Sequence, residues 1–96
     1  MAIVVVSRWK GPNDLTLARE AGPLFKKHGA VSVRIGFCHA GQYTGQLVVV
    51  VTFPDWARYG SAMQALTADP EYQRLLAEAS KLFQLQDRSI FVGEEL

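Results

Sequence analysis

The sequence predicts an α+β fold: one four-stranded antiparallel sheet with every helix on one of its faces. Three observations predict it. Strand-like runs recur at Ile3 to Trp9, Ala30 to His39, Gln46 to Phe53 and Gln84 to Gly93. Apolar residues spaced by three or four fill the segment between the first two runs and the segment between the last two. The third run carries Leu47-Val48-Val49-Val50-Val51, apolar on both alternating sets, which requires cover on both faces of the sheet.

Each element has its own local cause. Ile3 to Trp9 is rich in β-branched residues and stops at Gly11-Pro12. Asn13 or Asp14 offers an N-cap for a helix reaching about His28, with Leu17, Ala21, Leu24 and Phe25 as its apolar stripe. Pro23 removes a backbone donor and crowds the preceding turn, so a kink or break is expected at Gly22-Pro23. Gly29 is a C-terminal stop. In the second strand Val31, Val33, Ile35 and Phe37 point one way and Ser32, Arg34, Gly36 and Cys38 the other. A glycine-containing turn, Ala40 to Gly45, leads to the third strand. Asp55 caps a helix to about Leu66, with Trp56, Tyr59 or Gly60, Met63 and Leu66 facing inward. Asp69-Pro70 restarts it, because proline suits the first helical position. Tyr72, Leu75, Leu76, Ala79 and Leu82 form the inner stripe to about Phe83. The last strand precedes a short acidic end, Glu94-Glu95-Leu96.

The resulting order, β-α-β-β-α-β with the second helix split, is ferredoxin-like. It leaves one sheet face uncovered although both sets of strand three are apolar. At about 25 cal/mol per Å², each 400 Å² or so left exposed forgoes about 10 kcal/mol, comparable to a domain's whole stability. Packing of that face against a second copy is the simplest remedy, so a homodimer is expected.

Ninety-six residues suit one domain over 1–96, and 49% apolar with 20% charged residues suits a folded chain. A net charge of +1 and no basic run beyond Lys26-Lys27 argue against a nucleic-acid partner. No stretch has the roughly 20 apolar residues of a membrane span. The opening apolar run lacks a signal peptide's basic lead and cleavage site. One cysteine forms no internal disulfide, and no metal-type Cys/His spacing exists, so a cytoplasmic protein without a metal is expected.

Element order, length and doubly apolar strands, with the Phe53-Pro54-Asp55-Trp56 junction and the Asp69-Pro70-Glu71-Tyr72 restart, resemble the dimeric α/β-barrel superfamily. The similarity is to its antibiotic-biosynthesis monooxygenase-like branch and covers nearly the whole chain. The superfamily includes cofactor-free monooxygenases, haem-degrading enzymes, lactone isomerases and small proteins without an assigned activity. Haem-degrading relatives place an asparagine on strand one, a tryptophan on a helix and an iron-ligating histidine on a later helix. Here Ser7 or a neighbour occupies the first region, Trp56 stands in for the tryptophan, and no histidine follows His39. Haem is therefore not expected, and no cofactor is assigned.

The candidate site residues each carry two readings. Arg34, opposite the Val31-Val33-Ile35 set, would anchor a ligand carboxylate or phenolate, or form an edge salt bridge with Asp87 or Glu94. His39, with an ordinary pKa near 6.5, suits a proton shuttle or is simply solvated. His28 before Gly29 favours a helix C-terminus. Cys38 shares Arg34's set, so adjacent His39 points away from it and a Cys-His pair is disfavoured. Trp9, Phe37, Tyr43, Trp56 and Tyr59 would line a pocket for a flat ligand or serve as core, with Arg8 as a neighbouring cation or a surface pairing group. Two functions follow as expectations. The first is cofactor-independent oxygenation of a small aromatic or phenolic compound, with Arg34 and His39 as catalytic residues. The second is a non-catalytic dimeric module for a hydrophobic molecule or a partner protein.

Overall fold

The computed structural model describes residues 1–94 and residue 96. The elements run β1 (Ala2–Lys10), α1 (Thr16–Lys27), β2 (Ser32–Phe37), β3 (Leu47–Phe53), α2 (Trp56–Ala68), α3 (Pro70–Leu82) and β4 (Gln84–Gly93). The strands form one antiparallel sheet in the order β2-β3-β1-β4. This is the ferredoxin-like arrangement, with the second helix split as the Asp69-Pro70 restart predicts.

Side-chain capping sets the helix ends. The Asp55 carboxylate accepts from the Arg58 backbone N–H at 2.8 Å, and Asp69 accepts from that of Glu71 at 2.9 Å. The start of α1 differs: Leu15, not Asn13 or Asp14, takes the cap position without a side-chain cap bond, and Asp14 accepts from the Thr16 N–H at 2.9 Å and from its hydroxyl at 2.6 Å in the turn just ahead of the helix. At the other end of α1, Gly29 takes φ +113°. Its N–H donates to Lys26, and that of Ala30 donates to Phe25, a Schellman closure that needs a residue free to be left-handed. The break expected at Pro23 does not occur, since α1 runs unbroken through it. Burial of Ala18 and Leu24 on either side outweighs the lost donor.

Register decides which set faces the helices. Val5 pairs with Val51, Ser7 with Val49 and Trp9 with Leu47; in β2, Val33, Ile35 and Phe37 meet the same β3 residues. This set packs under the helices, and Ile3 and Phe53 are fully buried in it with Val51, Ala30 and Ala62. A second cluster, Leu24, Leu66 and Leu75, forms where the three helices meet. The alternate set, Val4, Val6, Val48, Val50 and Arg34, lies on the open face.

Three sequence assignments shift. Val31, expected inward with Val33, precedes the strand and is 63% exposed. Trp56, expected in the inner stripe of α2, is 56% exposed because it begins the helix and burial centres on Ala62 and Leu66. Leu82 is outward, and Phe83, where the backbone turns extended into β4, is buried in its place. No described helix is long and apolar enough to cross a membrane.

Candidate functional site

A cavity of about 110 Å³ lies between the sheet and the three helices. Its floor is the inward set of β1 and β3, including Val5, Val49 and Val51, and its walls come from Leu17 and Ala21 of α1, Met63 of α2, and Leu75 and Ala79 of α3. This lining follows from the two periodicities, alternation on the strands and the three-to-four spacing on the helices. The volume is of the order of the ~150 Å³ cavity that accommodates benzene in an apolar core.

Five polar side chains reach the lining: Ser7, Trp9, Tyr59, Tyr72 and Arg88. Trp9 Nε1 donates to Ser7 Oγ at 2.9 Å, which satisfies the indole and the buried hydroxyl together. Tyr59 is held edge-on between Phe53 and Trp56, with ring centroids 5.6 and 5.9 Å away. Tyr72 meets Phe25 edge-on at 5.6 Å. Burial pushes the Tyr72 phenol above its ordinary value, and the Arg88 cation acts in the opposite direction. Among the described residues, Arg88 is the only charged side chain in the lining, and no histidine or carboxylate contributes to it. Chemically, such a lining matches an apolar, flat shape and sets one cation beside it.

The residues singled out in the sequence separate. Trp9 and Tyr59 line the cavity. Trp56 touches it only through Tyr59. Phe37 packs beside it in the cluster of Ala18, Leu47 and Phe83. Arg8 and Tyr43 lie across the sheet, the Arg8 guanidinium stacked 4.7 Å from the Tyr43 ring centre. Arg34 is exposed on that same open face, and His39 is exposed in the turn after β2. The structure therefore does not bring Arg34 and His39 into the cavity. Asp87, considered as a partner for Arg34, pairs instead with Arg8 at 2.8 Å. The Cys38 thiol points to the Ala40 carbonyl at 3.4 Å.

Sequence reasoning passed over Arg88 and Tyr72 as site residues. Arg88 did leave a signal: it shares the alternation of Ile90 and Val92, a cation in an apolar set. Tyr72 left none beyond its helical spacing. His28 caps α1 as expected, and its Nε2–H also donates to Asp69 Oδ2 at 2.8 Å, tying the end of α1 to the start of α3. That hydrogen bond holds the Asp69 carboxyl below its ordinary value. Among the described residues, no group of three or more His, Cys, Asp or Glu could hold a metal ion.

Solved structures share this architecture. A cofactor-independent oxygenase, SnoaB from Streptomyces nogalater, is 15% identical with a TM-score of 0.69, over 99% of this chain and 95% of its own. An uncharacterised NIPSNAP domain protein from Burkholderia xenovorans is 15% identical with a TM-score of 0.76, over 98% and 95%. An antibiotic biosynthesis monooxygenase is 18% identical with a TM-score of 0.63, over 100% and 99%. At such identities the likeness is one of fold. No curated protein matches the chain. One family does, over residues 13–92, which takes in every element from α1 to nearly the end of β4; the chain belongs to the family described as a domain of unknown function, DUF6854.

Proposed function

We propose that the protein is a homodimeric α/β barrel that holds a small aromatic or phenolic compound in the cavity between sheet and helices. The observation that carries this reading is the cavity itself: apolar on nearly every side, ring-sized, with Arg88 as the one charge among the described residues. The reaction it would run is cofactor-independent oxygenation, the description given to SnoaB. In this chain's cavity a deprotonated phenol would supply electrons to O₂, and Arg88 would favour the phenolate by charge. Arg34 belongs in this reading to the open face, where a second copy would cover Val4, Val6, Val48 and Val50, and His39 to the turn beyond β2. A covered Arg34 then needs a carboxylate from the partner. The single cysteine supports a reducing, cytoplasmic setting.

A second reading rests on one specific observation. Among the described residues, no histidine or carboxylate lines the cavity, and none of them offers a side chain suited to accept the phenol's proton. This favours a non-catalytic module that binds a hydrophobic molecule.

Oxygen uptake and ligand binding separate the two. A panel of flat phenols is expected to quench Trp9 emission and, for the enzyme, to support O₂ uptake that falls at least tenfold in Arg88→Gln. Unchanged uptake in Arg88→Gln but loss in Arg34→Ala or His39→Ala would move the chemistry out of the cavity. Binding without uptake across the panel supports the module. Absence of binding overturns both readings of the cavity.

A further inference from the structure

The ladder between β1 and β4 is irregular at one place. Arg8 pairs with Asp87, but Trp9 pairs with Leu85, so Gln86 has no partner across the sheet and the register shifts between Arg8 and Trp9. A bulge of this kind bends the strand and re-aims the side chains beside it. Trp9 follows Arg8 across the shift and Arg88, paired with Ser7, follows Asp87 on its regular side; both reach the cavity, as do Val5 and Ser7 further along β1.

On the open face the same point is pinned. Arg8 Nη1 donates to Asp87 Oδ2 at 2.8 Å, and the Ser89 hydroxyl donates to that oxygen at 3.1 Å. The Tyr43 ring, from the β2–β3 turn, lies against the Arg8 guanidinium. Each member of the pair is only partly exposed, 25% for Arg8 and 37% for Asp87. The pair therefore ties β1 to β4 at the shift, and its two members stand one peptide away from the cavity's indole and the Arg88 cation.

We propose that Arg8 and Asp87 are positioning residues: by fixing the bulge from the open face, they set the orientation of Trp9 and Arg88 in the cavity. Neither touches the ligand. Their effect on binding rests on the reading of the cavity as a ligand site; their effect on Trp9 does not. A consequence follows for assembly, because the pair lies on the face assigned to the second copy. Events on that face reach the cavity through one peptide link on each strand.

The chain has two tryptophans, so Trp56→Phe leaves Trp9 as a single reporter. In that background Asp87→Asn is expected to shift the emission maximum of ligand-free Trp9 and to weaken binding of a naphthol probe about three- to tenfold. Asp87→Glu should restore most of both, because the ion pair is kept. Unchanged Trp9 emission in a folded Asp87→Asn variant overturns the proposal, whatever the probe does. If Asp87→Asn does not fold, the exchanged pair, Arg8→Asp with Asp87→Arg, decides. Recovery of fold and Trp9 emission supports the positioning role, and failure to recover them overturns it. Failure of the parent protein to bind the probe, with Trp9 emission still responding to Asp87→Asn, refutes the cavity reading alone.

Discussion

The two faces of the sheet are built from nearly the same side chains and end in different surroundings. On the helix side, Ile3, Val5, Leu47, Val49, Val51 and Phe53 form a packed floor in which Ile3 and Phe53 are fully buried. On the other side, Val4, Val6, Val48 and Val50 stay half-buried with none of the described elements over them, and Phe91 is 63% exposed. Apolarity in a strand thus marks what must be covered, and only pairing register and helix placement decide by what. The polar exceptions differ too. The helix side admits Ser7 and Arg88 at the cavity, whereas the open side carries Arg8, Arg34 and Asp87.

That contrast can be broken, and the largest effect is expected on the helix side. Phe53→Ala should cost about 3–5 kcal/mol, a Tm drop of more than about 12 °C for a chain of this size. Thermal unfolding followed by circular dichroism checks it, and a drop of only a few degrees would deny Phe53 its central place. On the open side the readout is assembly. Val50→Asp places a charge at the centre of the uncovered face. It should convert a dimer to a folded monomer in sedimentation, while Val51→Asp, one residue along and 4% exposed, should leave no folded protein. Equal behaviour of the two variants would mean the faces are not distinct.

Smaller effects test what holds the helices over the cavity. Asp55→Ala removes the side-chain acceptor at the start of α2 and should cost about 1 kcal/mol, measurable as a shift in urea midpoint at constant slope. The Asp69–His28 contact gives the finest probe. Because the Asp69 carboxyl sits below its ordinary 3.8 in the folded state, its stabilisation is complete above pH 3.8 and is lost as pH falls through the lower folded value. Asp69→Asn should therefore flatten the acid limb of the stability profile below about pH 4, with little change in its slope near neutrality. An unchanged acid limb would place the acid sensitivity elsewhere, with Asp14, also held low by its bonds to Thr16, as the next candidate.

Much of the fold was legible because its causes are local. Alternation in β1 to β3, the capping carboxylates of Asp55 and Asp69, the Pro70 restart and the Gly29 stop all act within a few residues, and all reappear in the structure. Pro23 did not break α1: its local cost is real, but the buried stripe of the helix outweighs it. The site was legible only in part. Trp9 and Tyr59 could be picked as aromatics at the right spacing, whereas Arg8 and Arg88, both cations on strands, differ only in the face to which they point.

What the sequence determined by itself is the order of elements, the apolar character of both alternating sets in β3, and the separation of Arg34 from Val33 and Ile35. Those follow from periodicity and from the solvation cost of apolar surface. The tertiary structure alone decided that β1 lies between β3 and β4, that a bulge falls between Arg8 and Trp9, that Asp87 belongs to Arg8 and not Arg34, and that Arg88 meets the cavity. Each of these depends on strands far apart in the chain choosing a register. A one-residue change of register exchanges the two faces of a strand, so no short stretch of sequence contains the answer.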